Sequence, residues 1–168
     1  MIHKKTSSKY IIIKNSSIHS KGIYAKIDIP KNIKVIEYVG KKVSNKLSDK
    51  VADRDLDRSK KNKKLGEVYL FELNKEFDID GNYPYNTARY LNHSCNPNCK
   101  YKYDNGKIWI ISIRIIKKGE ELTFDYDFDL EDYEHYPCLC GSKNCVGFII
   151  GKKYRNKLQQ LIQKRNTK

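Results

Sequence analysis

The 168 residues fit one domain, long enough to bury a core, and at 39% the hydrophobic content is low without resembling that of a disordered chain. The net charge of +14 suits a nucleic acid or another polyanion nearby, although a chain rich in Lys, Asn and Ile reaches such a charge through composition alone. The longest apolar stretches, at 108–111 and 148–150, fall far short of the roughly 20 residues of a membrane span, and the start of the chain has no apolar signal core. A soluble intracellular protein made in a reducing compartment, with no membrane contact, is expected.

The N-terminal half reads as short β-branched and aromatic strands at 10–13, 22–25 and 35–39, bounded by Ser, Gly, Pro and Lys-Asn. From 47 to 64 the period becomes helical. Leu47, Val51, Ala52 and Leu56 form the apolar stripe, Ser44 or Ser48 could cap the start, and five basic residues in seven positions at 58–64 suggest an exposed end or loop. Strands return at 68–71, along the run 108–116 and, after a turn at Gly119, at 122–126. A short helix is predicted over 86–91, just before Asn96-Pro97. The tail at 152–164 carries Tyr154, Leu158, Leu161 and Ile162 on one face of an amphipathic helix. Many short strands and few helices give a mostly β domain.

Five cysteines and no secretion signal argue for metal binding or a reactive thiol rather than a disulfide framework. Cys138, Cys140 and Cys145 supply three thiolates within eight residues, with Gly141 permitting a tight turn. Zinc prefers four ligands, and the fourth could come from Cys95, Cys99 or one of the four histidines. In Asn92-His93-Ser94-Cys95, periodicity alone favours a structural histidine. Asp125 and Asp127 would share one strand face opposite Tyr126, but nothing else supports a paired-carboxylate hydrolase. No dinucleotide fingerprint or P-loop is present. Asp125, Asp127, Asp129, Glu131, Asp132 and Glu134 put six acids in ten residues, which leaves the rest of the chain six charges more basic than the whole.

Taken in order, these segments resemble the SET domain of protein lysine methyltransferases. Ile18-His19-Ser20-Lys21-Gly22-Ile23-Tyr24-Ala25 is similar to the family's cofactor loop, Ile36-Glu37-Tyr38-Val39-Gly40 to the following strand and Tyr69-Leu70-Phe71 to the channel strand. Ala88-Arg89-Tyr90-Leu91-Asn92-His93-Ser94-Cys95 and Gly119-Glu120-Glu121-Leu122-Thr123-Phe124-Asp125-Tyr126 resemble the two signature motifs. Residues 138–148 resemble the post-SET zinc segment, and Ile18-His19 with Pro137-Cys138-Leu139-Cys140-Gly141 point to the trithorax-like branch.

The resemblance implies a mostly β, β-clip (SET) fold of several small curled sheets with a pseudoknot, few short helices and a C-terminal helix. It implies a SET domain at 1–137 with a variable insert at about 44–66, a post-SET zinc segment at 138–150 and a basic tail at 151–168. The implied activity is S-adenosylmethionine-dependent methylation of protein lysine, leaving S-adenosylhomocysteine. Tyr126 would be the catalytic tyrosine, assisted by Tyr38, with Tyr69 and Phe71 lining the approach. Phe124, where tyrosine restricts the product, implies di- or trimethylation. Lys21, Gly22, Ile23, Tyr24, Tyr69, Arg89, Tyr90, Asn92, His93, Tyr126 and Phe148 would contact the cofactor, with Phe148 on the adenine. Cys95, Cys138, Cys140 and Cys145 would hold one structural zinc, leaving Cys99 a free thiol.

The substrate implied is a lysine-bearing basic protein, foremost a histone tail on chromatin in a nucleus, with nucleosomal DNA on the basic surface and the acidic run drawing the tail to the groove. A non-histone lysine, or a silent zinc-stabilised chromatin-binding module, is the alternative. No oligomeric state is implied. Two departures stand out: Ser20 replaces a common glycine, and Pro84-Tyr85-Asn86-Thr87 replaces a lysine-glycine-asparagine turn. These 168 residues show no cysteine-rich region or chromatin-reading module ahead of the motifs, so targeting is expected from the domain itself, from another protein, or not at all.

Overall fold

The computed structural model describes residues 5–61 and 69–166. Within these described residues, ten short strands form three small sheets. In the first, β1 (Ile11–Asn15) and β2 (Lys21–Ala25) make an antiparallel hairpin with Ile13 opposite Ile23, and β10 (Glu121–Phe124) joins β2. On its other edge β10 pairs parallel with the two-residue β7 (Asn92–His93), Thr123 opposite Asn92 and Phe124 opposite His93. The second sheet has the order β3 (Lys34–Tyr38), β9 (Lys107–Ser112), β8 (Cys99–Asp104), and the third β4 (Lys41–Ser44), β6 (Phe77–Asp80), β5 (Leu70–Glu72). Helix α1 (Asn45–Lys61) lies between β4 and β5, and α2 (Arg155–Asn166) follows the cysteine-rich segment. This is the mostly β arrangement with a C-terminal helix that the sequence leads one to expect. Among the described residues no helix is long and apolar enough to cross a membrane.

The core is where the sheets meet, around Ile23, Ile29, Ile36, Leu91, Ile108, Ile110, Ile116 and Leu122, all buried. Strand β9 is central in its sheet, paired on one edge with β3 and on the other with β8, and Ile108, Ile110 and Ile111 are all buried. A second, smaller core of Tyr133, Ile150 and Leu158, with Phe148, Tyr154 and Ile162 packed against it, joins the cysteine-rich segment to α2.

Several elements differ from expectation. The run 108–116 is not one strand, because the buried Ser112 hydroxyl donates to the Pro30 carbonyl (2.6 Å) and accepts from the Ile33 amide (3.0 Å). These bonds take the chain out of the ladder: Ile115 is exposed, and Ile116 returns only as an isolated bridge to Ile29. Strand β10 stops at Phe124, and Asp127 is left-handed at φ 58°, so Asp125 and Asp127 do not share a strand face. The expected helix at 86–91 is a single 3₁₀ turn at Thr87–Tyr90. Asn86 precedes it as a buried spacer, accepting from the Val39 amide (3.3 Å) and donating to the Gly81 carbonyl (3.0 Å). In α1 Leu47 is exposed while the small Ser48 is buried, and in the tail Leu161 is exposed while Leu158 enters the second core. Residues 62–64 of the predicted helix, Val68 of the predicted strand and the last residues of the expected insert lie outside the described residues.

Candidate active site and metal centre

The four sulfurs of Cys95, Cys138, Cys140 and Cys145 lie within 4.8 Å of one another. Cys95 Sγ is 3.9 Å from Cys138 Sγ and 4.0 Å from Cys145 Sγ. Thiolates about 2.3 Å from a tetrahedral zinc stand roughly 3.8 Å apart, so the cluster fits this ion with little movement. The Cys95 amide points at Cys140 Sγ and the Gly147 amide at Cys145 Sγ, both at 3.4 Å, as outer bonds to thiolates do. Left-handed Gly141 (φ 64°) and Gly147 (φ 83°) let the segment turn tightly enough to converge. Burial pushes the Cys95 and Cys138 thiols up, and their sulfur neighbours add to it. A bound cation would relieve that repulsion. Burial also acts on Cys140, but hydrogen bonds from Ser142 and the Cys95 amide outweigh it and bring that thiol down to about 6. Cys99 lies in the main core, pushed up to about 12 by burial, and has no part in the cluster.

Beside the cluster runs a cavity of about 910 Å³. Part of its lining is aromatic. Phe71 sits at its centre, 5.0 Å from the Tyr38 ring, 4.8 Å from Tyr101 and 5.9 Å from Phe124, and the wall continues through Tyr126, Phe128 and Tyr136. The Tyr38 hydroxyl donates to the Tyr69 carbonyl and the Tyr126 hydroxyl to the Leu91 carbonyl, each at 2.8 Å. Burial pushes the Tyr38 phenol far up, with the Tyr126 oxygen adding to it, so it keeps its proton. With that proton committed to a carbonyl, each phenol can offer a ligand only its acceptor lone pairs. Gly81 makes room for Tyr38, since a β-carbon there would lie 2.2 Å from the phenol oxygen.

The lining also carries polar groups, from His19, Ser20, Lys21, Tyr69, Arg89 and Asn92. Asn92 Nδ2 donates to the Lys21 carbonyl (3.1 Å) and to Glu121 Oε1 (2.6 Å). The Glu121 carboxylate also accepts from the hydroxyls of Ser16 (2.8 Å) and Tyr24 (2.9 Å), so one acid ties the loop between β1 and β2 to Asn92. Ser20 is left-handed at φ 38°, a region that favours glycine. The Arg89 guanidinium lies over the Tyr69 ring at 4.5 Å and donates from Nη2 to Asn82, while its buried Nε has no partner. The Lys21 ammonium stands 5.7 Å from the Tyr90 ring.

Most of the expected site residues border this cavity: Tyr38, Tyr69, Phe71, Phe124, Tyr126, Lys21, Arg89, Tyr90, Asn92 and His93. Others are placed elsewhere. Gly22 is packed against Glu121, Ile23 is fully buried core and Tyr24 turns its hydroxyl to Glu121, so the loop borders the cavity through residues 18–21 instead. His93 does reach the cavity, but its ring is committed inward. Burial lowers its pKa to about 4, Nδ1 accepts the Tyr126 amide (3.2 Å), and Nε2 lies 3.7 Å from Cys95 Sγ. Phe148 packs edge-on against Tyr133 in the second core, centroids 4.9 Å apart, and Leu139 borders the cavity instead, 65% exposed. Two ligands at alternate positions turn the residue between them away from the metal, a signal already present in Cys138-Leu139-Cys140.

Half of the acidic run is paired within the chain. Asp125 pairs with Arg155 (2.7 Å), Asp127 with Lys153 (2.9 Å) and Glu134 with Arg165, while Asp129 caps the Glu131 amide (2.8 Å). Of the six acids only Asp127 and Glu134 border the cavity, and the tail already neutralises both. Glu121, Gly81 and Arg155 are the residues that sequence reasoning passed over. Glu121 lay inside a recognised motif without a role, whereas no local pattern marks the other two.

The family model of the SET domain matches residues 20–127, from Ser20 of the cavity loop to just past Tyr126. The chain belongs to the SET domain family. Over 145 residues, 80% of this chain, it is 41% identical to histone-lysine N-methyltransferase 2D of Homo sapiens, of which that match is 2%. It is 39% identical over 151 residues, 86% of the chain, to the H3 lysine-4 specific histone-lysine N-methyltransferase of Emericella nidulans, covering 12% of that protein. With histone-lysine N-methyltransferase trr of Drosophila melanogaster it shares 37% over 140 residues, 80% of the chain and 6% of the relative. The trithorax-like character of the SET domain agrees with these relatives, and the chain spans only a small fraction of their length.

In this SET domain Gly81→Ala should force Tyr38 out of its place and narrow the channel. The expected outcome is a folded protein whose Tyr38 ring resonances shift in NMR spectra, with a stability loss of about 1–3 kcal/mol from overpacking.

Proposed function

We propose that the chain is an S-adenosylmethionine-dependent protein lysine N-methyltransferase acting on a histone tail and yielding di- or trimethyl-lysine. The observation that carries this reading is one cavity with two unlike sets of lining groups, the aromatic rings that include Tyr38 and Tyr126 and the polar groups around Asn92. When bound, S-adenosylmethionine supplies a methyl group on a positively charged sulfur. Arg89, Tyr69, Asn92, His19, Ser20 and Lys21 would hold it, and Leu139, which borders the cavity where Phe148 does not, would be available to cover it.

The remaining chemistry belongs to the protein. A lysine entering the aromatic channel loses water, which disfavours its charged form and frees the amine lone pair for in-line attack. The phenol oxygens of Tyr38 and Tyr126, with their protons turned away, would accept from the amine and face the methyl group in flight. Phe124 has no hydroxyl to hold a water or hydrogen-bond the amine, which supports room for further methyl groups. Zinc on Cys95, Cys138, Cys140 and Cys145 would keep Pro137, Cys138 and Leu139 against the cavity, a mechanical rather than a chemical role. The name of the Emericella relative makes lysine 4 of histone H3 the first residue to test, and the nucleus the first compartment. The basic surface would then meet nucleosomal DNA through its phosphates.

Labelled methyl transfer to histone H3 tests the activity. Tyr126→Phe should retain cofactor binding by calorimetry and lose at least about 100-fold in turnover, as loss of one preorganised polar group in a dry site costs; an unaffected rate would remove Tyr126 from the chemistry. Mass spectrometry should show di- or trimethyl product from the wild type and an accumulation of monomethyl product from Phe124→Tyr. Prolonged EDTA treatment should abolish transfer while leaving the circular dichroism of the main core, and added zinc should restore it.

A further inference from the structure

Beyond the residues that match the family model, the chain continues into α2, and the first residue of that helix is buried. Arg155 is 9% exposed, and all three of its nitrogens have partners in different segments. Nε donates to the Ile150 carbonyl (3.2 Å), Nη1 to the Cys95 carbonyl (2.6 Å) and Nη2 to Asp125 Oδ2 (2.7 Å). Those partners are the end of the cysteine-rich segment, a candidate zinc ligand next to β7, and the residue immediately before Tyr126. The guanidinium fork suits three fixed acceptors, which a lysine head cannot reproduce.

Neighbouring contacts run the same way. The Lys152 amide donates to the same Asp125 oxygen (3.0 Å), the Gly151 amide to the Phe128 carbonyl (2.8 Å), and Lys153 pairs with Asp127. A β-carbon at Gly151 would strike Asp127 Oδ1 at 2.3 Å, so the two segments touch along their backbones. Residues 150–155 therefore lie directly along 125–128, where the strand leaves the sheet and passes Tyr126 into the cavity wall. On the other face of Asp125, Oδ1 accepts the Asp127 amide (3.0 Å).

Resting on the methyltransferase reading, we propose that Arg155 is a positioning residue for the reaction: by holding the Cys95 carbonyl and the Asp125 carboxylate at once, it sets Tyr126 and the cysteine-rich lobe in register. The acidic run is then the docking strip for the chain's own tail. Arg165, pairing with Glu134 at the far end of α2, is the exposed counterpart that contributes attachment without reaching Cys95 or Asp125.

The test uses the zinc-loaded full chain. Arg155→Met should lower kcat at saturating cofactor and H3 peptide by about 10- to 100-fold and speed zinc loss to EDTA by a similar factor, the range typical of groups that orient a metal ligand. Circular dichroism at the assay temperature establishes that the variant is folded. Arg155→Lys should recover the melting temperature without recovering kcat, and it carries the test if the methionine variant does not fold. Arg165→Met should leave both rates within about twofold, as removal of an exposed ion pair does. A folded Arg155 variant with wild-type kcat and zinc retention overturns the proposal. If the wild type transfers no methyl group, the functional reading fails, and amide exchange decides the structural half. Arg155→Met must then raise exchange at 125–128 and 138–150 but not in β3 and β9; unchanged exchange at those segments overturns it.

Discussion

The parallel pairing of β7 with β10 is the constraint on which the rest of this structure depends. Two residues face two, Asn92 with Thr123 and Phe124 with His93, yet the functional groups fan out from this one contact. Asn92 turns toward the β1–β2 loop, Cys95 toward the other cysteines, and Phe124 and Tyr126 toward the aromatic channel. So short a ladder could not hold by its own hydrogen bonds. It holds because Leu91 and Leu122 are buried beneath it, and because the neutral His93 ring accepts the Tyr126 amide one step beyond the last pair. A charged imidazole would have no lone pair for that amide, so the burial that keeps His93 neutral also keeps the two motifs joined.

A second layer of fastening surrounds this centre and is mostly polar. Glu121 gathers Ser16, Tyr24 and Asn92, and Arg155 gathers Ile150, Cys95 and Asp125. Each is one charged group satisfied by several partners from distant parts of the chain. Such nodes contribute little per bond compared with burial of apolar surface, but they fix geometry, because a displaced partner leaves a partly buried charge unpaired. The division of labour is clear: isoleucines supply the stability, and these two ions decide where the loop and the tail sit.

Much of this was legible in the sequence. The strands at β2, β3 and β9 follow from β-branched residues between turns, and cysteine spacing marks three of the four clustered thiols, while only the resemblance to the SET family points to Cys95 as the fourth. What escaped was long-range or depended on a single atom. That Ser112 ends a strand cannot be read from a run of isoleucines, because its hydroxyl finds partners at Pro30 and Ile33, far away in the chain. Half of the acidic run is also engaged within the chain, because Asp125, Asp127 and Glu134 meet basic partners 26 to 31 residues further on, which a sequence does not display. Phe148, which the resemblance implies at the cofactor, packs its ring edge-on against Tyr133 in the second core, a long-range contact that the sequence does not display.

Gly81 carries a consequence for how this protein can change. The space behind Tyr38 is filled by a ring where any other residue would have a methylene, so the rear of the channel tolerates one amino acid and offers no intermediate steps. The front is different. Phe71 meets the Tyr101 ring edge-on and stacks with the Phe124 ring, contacts that another aromatic of similar bulk would be able to keep. Variation in what the channel accepts must therefore arise on that front wall, while the rear stays fixed as the surface against which every variant is measured.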